Sequence, residues 1–311
     1  MNDYRALVAS SDDALSRVDA LIMNLLVAKS ISSLAHLDIP SYVSLCDSWA
    51  EQIGQRLSRV EARFWQSPQD WETAFAFFRL GVVCGFLEHD ADIAYKEDQR
   101  TVQSVLYTDP SDLFLNGVLD TRRGTCGNMA ALHVAIAWRF GWPVSLAWVK
   151  SHFVCRYDDG NVTYNIESTQ AGYGGFKSDP DVWLIREYQL PPIAITSGSD
   201  LRALKPREML GAFIGLRGRH ARDSGRHEEA ELDYLLARCL YPTSRRLYID
   251  SMALTVGRGP KLFAPGEIGS PDMLPHLVRE LEHEKMVPVF ARSEQTVQDA
   301  FFRNLSLQLE V

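Results

Sequence analysis

At 311 residues the chain is long enough for one large core, or for one core with an accessory module. With 46% hydrophobic and 23% charged residues it reads as a soluble globular protein, and a net charge of -8 argues against a polyanion-binding surface, so no nucleic-acid partner is expected. The five cysteines (Cys46, Cys84, Cys126, Cys155 and Cys239) are scattered and form no C-x-x-C, which speaks against a disulfide framework or zinc ribbon and for reduced thiols in a cytoplasm.

The opening MNDYRALVASSDDALSRVD carries acids and no basic flank before an apolar run, so a secretory signal is not expected. No stretch reaches 18 apolar residues without a charge, and no membrane span or membrane partner is expected either. Residues 12 to 90 read as helical. Asp12 or Asp13 caps a first helix whose Leu15, Val18, Leu21, Ile22, Leu25 and Leu26 recur at helical spacing. Pro40 and Ser41 restart the pattern, and a third helix follows Ser67-Pro68, from Trp71 to Glu88.

A polar stretch around 96 to 112 leads to DTRRGTCGNMAALHVAIAWRFGWP, residues 120 to 143. Here a glycine-containing turn opens a helix with Met129, Leu132, His133, Ile136 and Phe140 on one side, and Gly141-Trp142-Pro143 stops it. VSLAWV then reads as a buried strand. HFVCRYDDGNVTYNIES alternates in the period of two about Asp159-Gly160, which predicts a hairpin. Gly172 to Lys205 is rich in loop residues, and Gly172 to Gly175 suits a lid or simply a turn.

Beyond it, GLRGRHARDSGRHEEAELDYLLARCLYP carries Gly218, Gly225, Ala230, Tyr234, Ala237 and Pro242 at intervals that resemble a tetratricopeptide repeat, with an ordinary helical hairpin as the alternative. SRRLYIDSMAL fits the first helix of a degenerate second repeat. A Gly/Pro-rich linker, Gly257 to Pro271, precedes helices expected near 272 to 286 and 293 to 308.

With Asp159-Gly160 as the two central residues of a type I′ turn, Cys155 faces Tyr164, Phe153 faces Ile166 and His152 faces Glu167. Phe153, Cys155, Tyr157, Val162, Tyr164 and Ile166 then share an apolar face, and His152, Val154, Arg156, Thr163, Asn165 and Glu167 a polar one. Opposed residues are about 4.5–5.5 Å apart at Cβ, so His152 and Glu167 can hydrogen-bond. The pair reads either as a base held in one tautomer or as a cross-strand ion pair on a wet face.

Cys126, at the first turn of its helix, meets unpaired N–H groups and the positive end of the macrodipole, both of which favour a thiolate. The same N–H groups suit an oxyanion. The alternative is a packed cysteine. His133 lies two turns further on, about 10 Å along the axis, too far to serve as its base, and reads as a core histidine. Cys155 reads as packing. A zinc site from Cys126, His133 and His152 lacks ligand spacing, so no metal is expected. Arg122 and Arg123 fit either an acidic substrate group or carboxylates that fix the turn.

RGTCGNMAALHVAIAWRFGWP followed by SHFVCRYDDGNVTYNIEST resembles the transglutaminase-like superfamily, within the broader papain-like cysteine fold, over residues 118 to 172. Gly124-Thr125-Cys126 matches that family's Gly-x-Cys turn and Gly141-Trp142-Pro143 its helix-ending Gly-x-Pro, and repeat-like helices follow as in some bacterial members. The resemblance implies a catalytic triad: Cys126 as nucleophile, His152 as base and Glu167 as orienting acid, with no cofactor. Glu167 stands where Asp is usual and needs a different approach to the ring. Phe153 matches the aromatic that follows the histidine, while the tryptophan that helps the oxyanion site in animal members has three candidates, Trp138, Trp142 and Trp148.

The expected fold is α+β: a helical N-terminal region, a papain/transglutaminase-like core of a helix on an antiparallel sheet, and C-terminal tetratricopeptide-like helices. The expected division is a catalytic domain over 1–205, its core about 100–190, and a helical module over 206–311. The expected activity is cysteine-dependent acyl transfer on amide bonds of a protein or peptide. Hydrolysis (a protease, amidase or deamidase) is favoured over protein-crosslinking transglutamination, because transfer demands a site that excludes water. The alternative of another class is an inactive peptide- or protein-binding scaffold. In either case the C-terminal helices are a candidate docking surface for a protein partner.

Overall fold

The computed structural model describes residues 3–72, 74–99, 105–150, 152–170 and 178–256. The expected linker at 257–271, the two helices after it, and Gly172 to Gly175 lie outside the described residues.

Helices α1 (Tyr4–Val8), α2 (Asp12–Leu15), α3 (Ala20–Lys29), α4 (Ile39–Gln66) and α5 (Phe75–His89) build the N-terminal half. The single helix expected from Asp12 onward is two. Ser11 caps α2 by accepting from the Ala14 N–H, and Asp19 caps α3 by accepting from the Leu21 N–H at 2.8 Å, so the chain turns between them. α3 is apolar on nearly every side and is buried accordingly, whereas α4 buries one stripe that includes Cys46, Trp49 and Ile53.

Strand β1 (Ala94–Tyr95) lies parallel to β2 (Arg123–Gly124), with α6 (Leu115–Thr121) between them in sequence. Helix α7 (Met129–Trp138) is buried along its length from Met129 to Ala137, which explains its uniformly apolar sequence. Burying side chains such as Leu132, Val134 and Ile136 contributes roughly 1.5–3 kcal/mol each. It packs on an antiparallel sheet of β3 (Val144–Val149), β4 (His152–Asp158), β5 (Thr163–Ile166) and β6 (Ser178–Asp179), in that order.

The β4–β5 register differs by two residues from the sequence expectation. Cys155 pairs with Ile166 and Tyr157 with Tyr164, where Tyr164 and Val162 were expected. The turn is longer than two residues because the Asp159 carboxylate accepts from the N–H groups of Asn161 and Val162, each at 2.9 Å, and this organises a four-residue loop. A shift of two preserves which face each side chain occupies. Phe153, Cys155, Tyr164 and Ile166 therefore still enter the main core, while Val162, at the loop, is exposed.

The polar face is not wet. Helices α8 (Asp181–Glu187) and α9 (Pro192–Thr196) cover it, and Leu184, Leu190 and Leu201 form a second apolar cluster with Ala147, Val149 and Val154. Arg156 and Asn165 are buried there because Asp181 accepts from both, at 2.7 and 2.6 Å.

Helices α10 (Pro206–Asp223), α11 (His227–Leu240) and α12 (Arg245–Val256) follow. α10 and α11 run antiparallel: Gly211 lies against Leu240 and Tyr241, and Gly218 against Asp233 and Tyr234. Ala230, Tyr234 and Ala237 are buried between them. A helical hairpin followed by a third helix is what the described residues show; the tetratricopeptide form goes beyond them. The main apolar cluster runs from Tyr4 to Leu254 and is continuous across residue 205. The N–H groups of Leu201 and Leu204 also bond to Trp148 and Leu146 of β3, at 2.9 and 2.8 Å, which ties the approach to α10 onto the sheet.

Candidate active site

Cys126 sits in a turn that precedes α7, three residues before the helix proper, and not within its first regular turn. The turn is nonetheless built as a helix start. Met129 N–H bonds Thr125 C=O at 3.1 Å, Thr125 Oγ1 accepts from the Gly127 N–H at 3.0 Å, and Asn128 Oδ1 accepts from the Thr125 N–H at 2.8 Å. These reciprocal bonds have the logic of a capping box. Asn128 also donates to Ser111 and Phe114 carbonyls, and Thr125 Oγ1 donates to the Asp112 carbonyl. Gly124 is required by close approach, since a Cβ there would stand 2.4 Å from Met129 Cγ. The sulfur is therefore carried on a buried, hydrogen-bonded platform. Asn128→Ala removes the partners of the Thr125 N–H and the Ser111 carbonyl, while the Phe114 carbonyl keeps the Gly117 N–H, and it is expected to lower unfolding stability by about 2 kcal/mol in a urea titration.

His152 opens β4, and Glu167 follows β5 directly. In the observed register they are diagonal neighbours and not directly opposed, and the extra methylene of glutamate spans the longer gap. His152 Nε2 lies 2.7 Å from Glu167 Oε2, and the His152 side chain is near enough to Cys126 for each to shift the other's pKa. Glu167 Oε1 accepts from the Thr169 N–H at 3.0 Å and from its hydroxyl at 2.6 Å, while Oε2 also accepts from Tyr188 at 3.1 Å. Tyr188, at the end of α8, stacks on the His152 ring with planes 10° apart. His152 and Glu167 thus meet, with four hydrogen bonds on one carboxylate, and Cys126 lies within electrostatic reach of both.

The electrostatics follow from these contacts. Burial pushes the Cys126 thiol up, but the hydrogen bond and positive charge of His152, aided by the Tyr107 hydroxyl at 3.2 Å, bring it below its ordinary value. For His152 burial favours the neutral ring, and the Glu167 charge with the Cys126 bond overcomes this and raises it to about 10. Burial opposes the Glu167 charge too, yet His152 and Thr169 hold it down to about 2. Both Cys126 and His152 move in the direction of a thiolate–imidazolium pair. Burial alone pushes the Cys155 thiol up, and it raises Cys46 to about 12.

Among the other candidates, His133 is buried in α7 with Nδ1 2.9 Å from the Met129 carbonyl, a partner within its own helix. Arg123 bonds the Asp92 carboxylate at 3.0 Å and Arg122 stacks over Trp49, so both serve the turn. Tyr107, Thr169 and Tyr188 were not singled out from sequence. Tyr107 reaches Cys126 across 19 residues, and no local pattern signals it. Of the three tryptophans, Trp148 lines the cavity onto which Cys126 opens, and its buried indole N–H has no acceptor among the described residues. Trp138 donates instead to the Val144 carbonyl, and Trp142 stacks on Phe140.

Neither a curated protein nor a solved structure matches the chain. The model of the transglutaminase-like superfamily matches residues 49–213, just over half of the chain and all of the elements from α5 to β6 that carry Cys126, His152 and Glu167. The chain belongs to the transglutaminase-like superfamily.

Proposed function

We propose that the protein is a cysteine-dependent acyl-transfer enzyme that acts on amide bonds and delivers the acyl group to water, with Cys126, His152 and Glu167 as its catalytic triad. The observation that carries this reading is a histidine whose Nε2 is held 2.7 Å from a buried, multiply bonded carboxylate and whose side chain lowers the pKa of the Cys126 thiol. Glu167 fixes the ring so that its Nδ1 faces the sulfur. The thiolate attacks the amide carbonyl carbon, and the imidazolium protonates the departing amine. Water then enters, gives a proton to the ring, attacks the thioester, and releases the acid with the thiolate restored.

Charge develops on the carbonyl oxygen in both steps, and the unpaired Trp148 indole N–H is a donor suited to it. Trp148→Phe is expected to slow acylation by an activated amide about 10²-fold, while alkylation of Cys126 by iodoacetamide, which builds no oxyanion, stays unchanged. Equal loss in both measurements would assign Trp148 to packing.

The reaction class is tested with a pool of acetyl, butyryl and peptidyl p-nitroanilides and added butylamine, reading the acyl products by mass. The expected product is the free acid, released only while Cys126 is present. A butylamide as the main product would make the protein a transamidase, and absence of any Cys126 thioester would remove the enzymatic reading.

A further inference from the structure

The cavity at Cys126 is walled on one side by elements beyond the sheet: Gly215, Leu216 and Arg219 on α10, and Arg246, Leu247 and Asp250 on α12. Leu247 fills the space left by the absent side chain of residue 215; a Cβ there would stand 2.4 Å from Leu247 Cδ2. The facing wall is Trp148 stacked on Phe153, with ring centroids 3.9 Å apart. The enclosed volume is about 50 Å³, roughly what a few water molecules occupy. The helical wall sets three arginines on two aspartates. Arg219 pairs with Asp223 at 2.8 Å, and Arg222 and Arg246 both pair with Asp250, at 3.0 and 2.6 Å. The lining arginines are each held by a carboxylate, and an apolar group entering the cavity meets leucine and aromatic carbon.

We propose that α10 and α12 complete the acyl-binding pocket and restrict it to short acyl groups, with Leu216 and Leu247 as the specificity-determining side chains. This rests on the acyl-transfer reading of Cys126. Both leucines are buried against the cavity, so their removal lengthens the pocket in the direction of α12. The segment after the sheet is then part of the site itself.

The test uses the full chain and p-nitrophenyl acetate, butyrate and hexanoate. The thiolate attacks the ester carbonyl, p-nitrophenolate leaves, and water releases the acid from the thioester. The wild type is expected to process acetate or butyrate about tenfold faster in kcat/KM than hexanoate. Leu247→Ala and Leu216→Ala are each expected to raise the hexanoate-to-acetate ratio about fivefold or more, a ratio that loss of folded protein does not move. Hexanoate processed as fast as acetate by the wild type, or a ratio unmoved in both variants, would overturn the proposal. Failure of every ester to acylate Cys126, with iodoacetamide still alkylating it, would instead remove the acyl-transfer reading and this inference with it.

Discussion

Replacing His152 by alanine is expected to slow acylation of Cys126 by about 10³-fold or more, measured as kcat/KM on a p-nitroanilide. Two losses combine in this variant. The thiol loses the partner that outweighs its own burial, so its pKa climbs in the direction taken by Cys155, where burial acts alone. The leaving group also loses its proton donor, a role that contributes about 10²–10⁴-fold on its own. The Tyr107 hydroxyl remains 3.2 Å from the sulfur, but a phenol whose own pKa is raised by burial does not substitute for an imidazolium. A loss below tenfold would show that the ring is a neighbour of the sulfur and not its base.

Glu167→Gln is the second large effect, about 10³-fold in kcat/KM on an amide substrate, with a characteristic change in pH dependence. Glutamine fills the same space but carries no charge, so the His152 pKa falls and the alkaline limb of the amide-hydrolysis profile moves to lower pH. Stability changes in parallel. Glu167 is held at about 2, below its ordinary 4.5, so its contribution is complete above 4.5 and disappears as pH falls towards 2. His152 is raised from 6.5 to about 10, so its contribution is complete below 6.5 and disappears as pH climbs towards 10. The stability gap between wild type and variant is therefore expected to be widest between these ordinary values, at about 3 kcal/mol, and to narrow on both sides. Urea titrations across the pH range check this; a gap independent of pH would mean that the carboxylate and imidazole are not coupled.

Much of the architecture around these residues was legible as periodicity. The uniformly apolar run from Met129 to Ala137 could be only a buried helix, and the alternation through HFVCRYDDGNVTYNIES fixed two strands and their faces. The register was misread by two because Asp159 spends its carboxylate on the loop, a side-chain bond that turn rules based on Asp-Gly do not include. Parity protected the consequence, and His152 and Glu167 remained on one face. The burial of that face was not legible. Alternation reports polarity, and Arg156 and Asn165 are polar yet buried because they bond to each other and to the half-buried Asp181.

Other features had a signal that was passed over, or had none. Ser11 and Asp19 each mark a helix start, which breaks the first helical stretch, and Thr125-x-x-Asn128 is a readable variant of a capping box. Tyr107 meets Cys126 only through tertiary packing, and the cavity that Trp148 shares with Cys126 is likewise built by tertiary packing, so local sequence could not choose Trp148 from the three tryptophans. The same holds for the wall supplied by α10 and α12, which sequence reading treated as a separate module.

The most direct measurement is the rate at which iodoacetamide alkylates each cysteine as pH is lowered, resolved by mass spectrometry of the digested protein. A thiolate stabilised by His152 predicts that at about pH 6 Cys126 is alkylated about 10²-fold faster than Cys46, Cys84 and Cys155, whose thiols burial pushes up. Uniformly slow alkylation of all four, rising together only at alkaline pH, would contradict the account.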